Sequence, residues 1–83
     1  MVDRARFEEG VALFNAGDFF AAHEALEDVW RDLHGPERRS MQGLIQLAVA
    51  LHHHSTGNLD GARSLLARAA AKLADAPDDF FGI

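Results

Sequence analysis

Cysteine is missing from this chain of 83 residues, which excludes disulfides and thiolate chemistry. Positive charge is scarce. Eight lysines and arginines face thirteen aspartates and glutamates, and the net charge is −5. The cations are scattered, with Arg38-Arg39 the one adjacent pair. Nucleic-acid binders usually show a basic face, so this balance argues against that partner. Long apolar runs are missing too. The longest near-apolar stretch, Met41 to Leu51, holds two glutamines and is too short to span a bilayer, so no membrane role is expected. The leading Met-Val-Asp-Arg-Ala-Arg has no apolar stretch behind its charges and does not match a signal peptide. The expected location is the cytoplasm. There is no phosphate-binding loop and no dinucleotide fingerprint, and no cofactor is expected. Ser40, Ser55, Thr56 and Ser64 lack the elbow or glycine-rich setting of a nucleophile.

What is present is an apolar fraction of 48%, enough for a folded chain rather than a disordered one. A chain this short buries only roughly 60–65% of its unfolded surface, so its core is marginal when alone.

The apolar residues recur at helical spacing. A first helix is expected from Arg4 to Ala16, capped by Asp3, with Phe7, Val11 and Phe14 on one face. Gly17 ends it, because glycine accepts the left-handed C′ conformation. Asp18 caps a second helix that runs to Leu33, with Phe19, Ala22, Leu26, Val29, Trp30 and Leu33 on its apolar arc. His34-Gly35-Pro36 is a stop followed by a proline suited to a first turn. The third helix, Glu37 to Thr56, is apolar nearly all round in its middle, the pattern of a central buried helix. Its Gly43 costs about 1 kcal/mol against alanine, and a close helix–helix approach would offset that penalty. Gly57 ends it, and Asn58 caps a fourth helix reaching Ala74, with Leu59, Ala62, Leu65, Leu66, Ala69 and Leu73 inside. The tail, with Pro77, Phe80, Phe81 and Ile83, is expected to pack back on the core.

The chain repeats itself at an offset of forty residues. Gly17 matches Gly57, Asp18 matches Asn58, Phe19 matches Leu59, Ala22 matches Ala62, and Leu26 matches Leu66. Each pair has a structural reason: C-cap, N-cap, anchor, small contact, core. The expected fold is all-α, a four-helix array of two tetratricopeptide-like hairpins in a single domain over 1–83. Hairpin one covers 4–33, hairpin two 37–74, and the tail 75–83. The spacing exceeds the tetratricopeptide period of about 34 residues, so the likeness is one of architecture. Two such units leave an apolar face open, and a homodimer would cover it.

The mismatches point to a site. His23 stands opposite Arg63, Glu27 opposite Ala67 and Trp30 opposite Ala70. Packing requires none of these groups there. His23 and Glu27 share one helix face and present a nitrogen and a carboxylate, while Glu24 lies about 100° away toward solvent. The bland alternative pairs Glu27 with Arg31 at i, i+4 and leaves His23 at the core rim. His52, His53 and His54 cannot all converge, because consecutive side chains diverge by about 100°. His54 takes the slot of Phe14 and is expected at the core edge. His53 lies seven residues after Gln46 on roughly one face. Gln46 and His53, with His23 and Glu27, are expected to line one cleft between the second and third helices. The Trp30 indole N–H would find its partner in Glu27 or a histidine.

These residues resemble a known family. Phe14-Asn15-Ala16-Gly17, Ala22-His23-Glu24-Ala25-Leu26-Glu27 with Trp30, Gln42-Gly43-Leu44-Ile45-Gln46, Ala48, Ala50, His52-His53, Gly57-Asn58 and Gly61-Ala62 are similar to the domain-of-unknown-function family numbered 309. The ending Phe81-Gly82-Ile83 looks like the family's segment after the last helix. The resemblance implies an all-helical fold. It also implies polar signature positions at His23, Glu24, Glu27, Gln46 and a histidine at 52 or 53, and it implies no activity. The expected function is a binding or interaction module. The candidate cluster is His23, Glu24, Glu27, Trp30, Gln46, His52 and His53, and its partner is a protein or small molecule. The alternative is a metal protein or small hydrolase-like enzyme using His23, Glu27 and His53.

Overall fold

The computed structural model describes residues 4–74, and helices occupy most of them. α1 spans Arg4–Asn15, α2 Phe19–Trp30, α3 Gly35–Ser55 and α4 Leu59–Leu73. No strand occurs among the described residues. All four expected helices form. The largest boundary difference is at α2, which stops at Trp30, three residues short of the Leu33 expected from the periodicity. Leu33 stays in the core although it lies past the helix. Asp3 and the 75–83 tail lie outside the described residues.

The forty-residue repeat is reproduced bond for bond at the two corners. Gly17 and Gly57 have φ of +84° and +85°, in the left-handed region that glycine tolerates. The Gly17 N–H donates to the Phe14 carbonyl at 3.0 Å, and the Asp18 N–H to that of Leu13 at 2.9 Å. Gly57 and Asn58 repeat this on His54 and His53 at 3.2 and 2.8 Å. These are the paired bonds of a Schellman ending. The next helix is then capped by a side chain. Asp18 accepts from the Ala21 N–H at 3.3 Å, and Asn58 from the Gly61 N–H at 3.1 Å.

Each helix packs chiefly on its neighbours in sequence, α1 on α2, α2 on α3 and α3 on α4. The core joins Phe7, Leu26, Val29, Leu33, Met41 and Ile45. Burying each such side chain stabilises the fold by about 1.5–3 kcal/mol. Two glycines set the helix spacing. A Cβ at Gly10 would meet Leu26 Cδ2 at 2.8 Å, so α1 lies close on α2. A Cβ at Gly43 would meet Lys72 Cβ at 2.9 Å and Leu73 Cγ at 3.1 Å, so α4 lies close on α3. The role expected for Gly43 is the one it has.

α4 corrects the expected inner face. Ala62 and Ala69 are buried, but Leu59 and Leu66 are 58% and 39% exposed. The buried side of α4 is carried by these small residues. Leu59 and Leu66 lie about 60° round the helix from those alanines and are carried outward. His54 is likewise exposed rather than at the core edge. Like Phe14 it stands one residue before its helix end, but the Phe14 ring packs edge-on to Phe19 while the polar His54 ring remains in water.

A charge network ties α1 to α2. Arg6 Nη2 lies 2.8 Å from Asp28 Oδ2, and Arg31 Nη1 lies 2.6 Å from Asp28 Oδ1. Arg31 therefore does not form the expected pair with Glu27. The hydrogen bond from Arg6, with help from Arg31, holds the Asp28 carboxyl below its usual range. A lowered carboxyl contributes stability above its unfolded value of about pH 4. That contribution is lost as pH falls through the lower folded value. Melting temperatures measured from neutral pH downward should therefore fall further in the wild type than in Arg6→Gln below about pH 4. Parallel curves would remove Asp28 from the acid response. Salt should shrink the difference, because these groups face solvent.

Candidate functional site

The polar face of α2 is built by one turn of helix. His23 Nδ1 bonds the Phe20 carbonyl, which can only accept, so Nδ1 carries the hydrogen. In the neutral ring Nε2 then presents a lone pair, and it stands 3.5 Å from Glu27 Oε1. Two acceptors face each other there, and a proton or another cation between them makes the contact attractive. The Phe20 ring lies edge-on to His23 at 4.9 Å and reaches across to His52 of α3 at 5.5 Å.

One turn further along α2, Glu27 and Trp30 join Gln42 and Ile45 of α3 around an open pocket of about 190 Å³. The Arg38 guanidinium sits over the Trp30 ring, 3.9 Å from its centroid. At that distance the cation is attracted to the negative face of the ring. The Trp30 indole N–H is buried and has no acceptor, so neither Glu27 nor a histidine serves it as expected. A second depression, about 230 Å³, lies between α1, α2 and α3 and is lined by Val11, Phe14, Asn15, Leu26 and Leu44. It offers almost no polar chemistry.

The predicted cluster divides in two. His23, Glu27, Trp30 and His52 stand on the α2 side of α3. Gln46 and His53 turn to α4 instead. The Gln46 side-chain oxygen accepts from Lys72 Nζ at 2.8 Å, and Asn58 Nδ2 lies 3.3 Å from His53 Nδ1. The four-residue cleft of His23, Glu27, Gln46 and His53 is thus not assembled. Lys72 of α4 and the N-cap Asn58 before it supply the partners of Gln46 and His53. Glu24 is exposed, as its position on the helix predicts. No three of the described His, Asp and Glu residues stand close enough to hold a metal ion together, so the trio of His23, Glu27 and His53 does not form. The hydroxyls near the cluster are committed to the helix end: Ser55 donates to the His52 carbonyl and Thr56 to that of His53.

Sequence reasoning missed Phe20, Arg38 and Gln42 as members of this site. Phe20 sits beside the polar stripe and reads as one more apolar residue. Gln42 faces α2 at one turn's distance from Gln46, but only the packing of α3 shows this. Arg38 reaches Trp30 across the turn between α2 and α3, where no helical periodicity applies.

The sequence and the fold are similar to those of other proteins. Over 77 residues the chain is 38% identical to an uncharacterized protein of Aquifex aeolicus (strain VF5), covering 92% of this chain and 23% of that one. Over 68 residues it is 40% identical to the uncharacterized protein YpuF of Bacillus subtilis (strain 168), covering 81% of this chain and 39% of that one. The chain therefore spans well under half the length of these curated relatives. The crystal structure of the conserved hypothetical protein TTHA0068 from Thermus thermophilus is 40% identical and matches with a TM-score of 0.83. That match covers 100% of this chain and 84% of the other. Among the described residues no helix is long and apolar enough to cross a membrane. A chain of four helices with this pattern belongs to the family described as a domain of unknown function, DUF309, which matches residues 7–65.

Proposed function

We propose that the chain is a small cytoplasmic binding module, tetratricopeptide-like in architecture, whose recognition site is the pocket between α2 and α3. One observation carries the reading. The residues that hairpin two lacks at the matching positions, His23, Glu27 and Trp30, lie along one face of α2; Glu27 and Trp30 line this pocket, and core packing requires neither His23 nor Glu27. Trp30 is the single tryptophan, so its emission reports on the pocket wall directly. A screen of small polar compounds should shift that emission saturably, and Glu27→Ala should abolish the shift while keeping its helical signal. If no compound acts and Glu27→Ala unfolds the protein, the cluster is structural. The reading includes a homodimer, supported by the exposed Leu59 and Leu66 on α4. A monomer by light scattering at micromolar concentration removes the dimer.

A second reading, a metal protein or small enzyme, has one observation in its favour. Metal-binding histidines usually donate their other ring N–H to a carbonyl or carboxylate. His23 does this toward Phe20 and leaves Nε2 beside Glu27. This chain supplies two ligands there, so other ligands must come from a partner or from solvent. Zinc, manganese or nickel should then raise the melting temperature, and His23→Ala should cancel the rise. No change with any of the three removes this reading.

A further inference from the structure

We infer that the α2–α3 pocket recognises an organic cation, an alkylguanidinium or alkylammonium group, with Glu27 as its counter-ion. The inference rests on the pocket being a binding site and names what it takes.

On a helix the cation at i+4 normally neutralises a glutamate. Here Arg31 occupies that position but is drawn to Asp28 at 2.6 Å. Glu27 retains only His23 Nε2 at 3.5 Å, and its side chain is 43% exposed at the pocket. Among the described residues no arginine or lysine lies within 4.0 Å of it. Glu24 adds a second carboxylate on α2, Asp28 is taken up by Arg6 and Arg31, Arg38 lies on the Trp30 ring, and the chain as a whole carries −5. The Glu27 carboxylate, with no arginine or lysine partner of its own, favours a positive guest beside it.

Ile45 and the Trp30 ring are apolar surfaces beside the Glu27 carboxylate, and Gln42 offers an amide oxygen as a further acceptor. An alkyl stem suits the first two, and the N–H groups of a cationic head suit the last two. A bare metal ion gains nothing from Ile45 or the indole, and it finds no third ligand among the described residues. The chain already shows this chemistry once, since its own Arg38 guanidinium lies on the Trp30 ring.

Pockets for drug-sized ligands run to about 300–1,000 Å³. This pocket measures about 190 Å³ and is open, which suits one head group with a short stem. The guest is thus either a small free amine or a single basic side chain entering from a larger molecule.

Full-length protein should be titrated with agmatine and with 1,5-diaminopentane while Trp30 emission is followed. The expected result is saturable binding with Kd at or below about 1 mM. Glutarate, the anionic counterpart of the diamine, should not bind. Glu27→Gln keeps the shape and removes the charge, and it should weaken binding at least about tenfold, or 1.4 kcal/mol. Arg31→Gln, whose charge serves Asp28, should leave Kd unchanged. A peptide with one arginine that competes with agmatine assigns the guest to a side chain, and lack of competition assigns it to a free amine. Absence of binding by both amines, equal binding of glutarate, or full binding by Glu27→Gln overturns the inference. If zinc or nickel alone binds, the inference fails while the pocket remains a site. If neither metals, amines nor the wider screen acts, the binding reading itself fails.

Discussion

Leu26→Ala should remove about 2–5 kcal/mol of stability, the range for a fully buried leucine. Leu26 is 1% exposed and stands where three helices meet. Its Cδ2 fills the space above Gly10 of α1, and it lines the apolar depression with Leu44 of α3. Little can collapse into the gap, because that depression already lies beside it. Small domains are held folded by roughly 5–15 kcal/mol in all, so this loss is a large share. The same substitution at the matching position forty residues on, Leu66→Ala, should cost about 0.5 kcal/mol or less, as surface changes do. Leu66 is 39% exposed, although its place after the corner is identical. Urea denaturation of both variants gives the comparison directly. Equal losses would show that Leu66 is covered in solution, and a small loss at Leu26 would contradict the three-helix junction.

The second large effect is expected at Phe7→Ala, about 3–5 kcal/mol for a buried aromatic. Phe7 and Gly10 are the only buried residues of α1, and Gly10 contributes no side chain. Phe7 alone inserts from α1 into the cluster of Leu26, Val29, Leu33, Met41 and Ile45. Without it, α1 is left with half-buried Val11, Leu13 and Phe14, the last edge-on to Phe19, and with the part-buried charge network from Arg6 to Asp28. Such pairs contribute little, and a helix of this length is marginal on its own in water. The damage should be local. Amide exchange in α1 should approach that of an unfolded segment while the middle of α3 stays protected. Uniform acceleration across all four helices would show instead that α1 and the rest unfold as one unit.

These contrasts explain what the sequence discloses and what it hides. The corners are legible because a local rule fixes each of them: glycine for positive φ, then a side chain that caps three residues on. Gly43 is legible because a glycine in an apolar helix costs stability unless something fits against it. The rotation of α4 is not legible. Its leucines form an apolar stripe at ideal spacing, yet the helix buries Ala62 and Ala69 and meets Gly43 through Lys72 and Leu73. The site follows the same division. His23 and Glu27 share a face because helical periodicity demands it. Whether Gln46 and His53 join them depends on two competing neighbours, and Lys72 and Asn58 are the ones within reach. Arg38 over Trp30 crosses a turn, where neither periodicity nor pairing rules apply.

The packing of each helix on its neighbours in sequence also bears on how quickly this chain folds. Every major contact is closed by a link of a few residues, so little chain entropy is spent before a contact forms. Helical proteins of this kind fold in microseconds to milliseconds, without the delay of long-range strand pairing. α1 and α4 each rest mainly on one neighbour, whereas α2 and α3 rest on two. Opening therefore starts at the outer helices and reaches α2 and α3 last. The pocket of Glu27, Trp30, Gln42 and Ile45 lies between those two, in the part of the chain that stays closed longest.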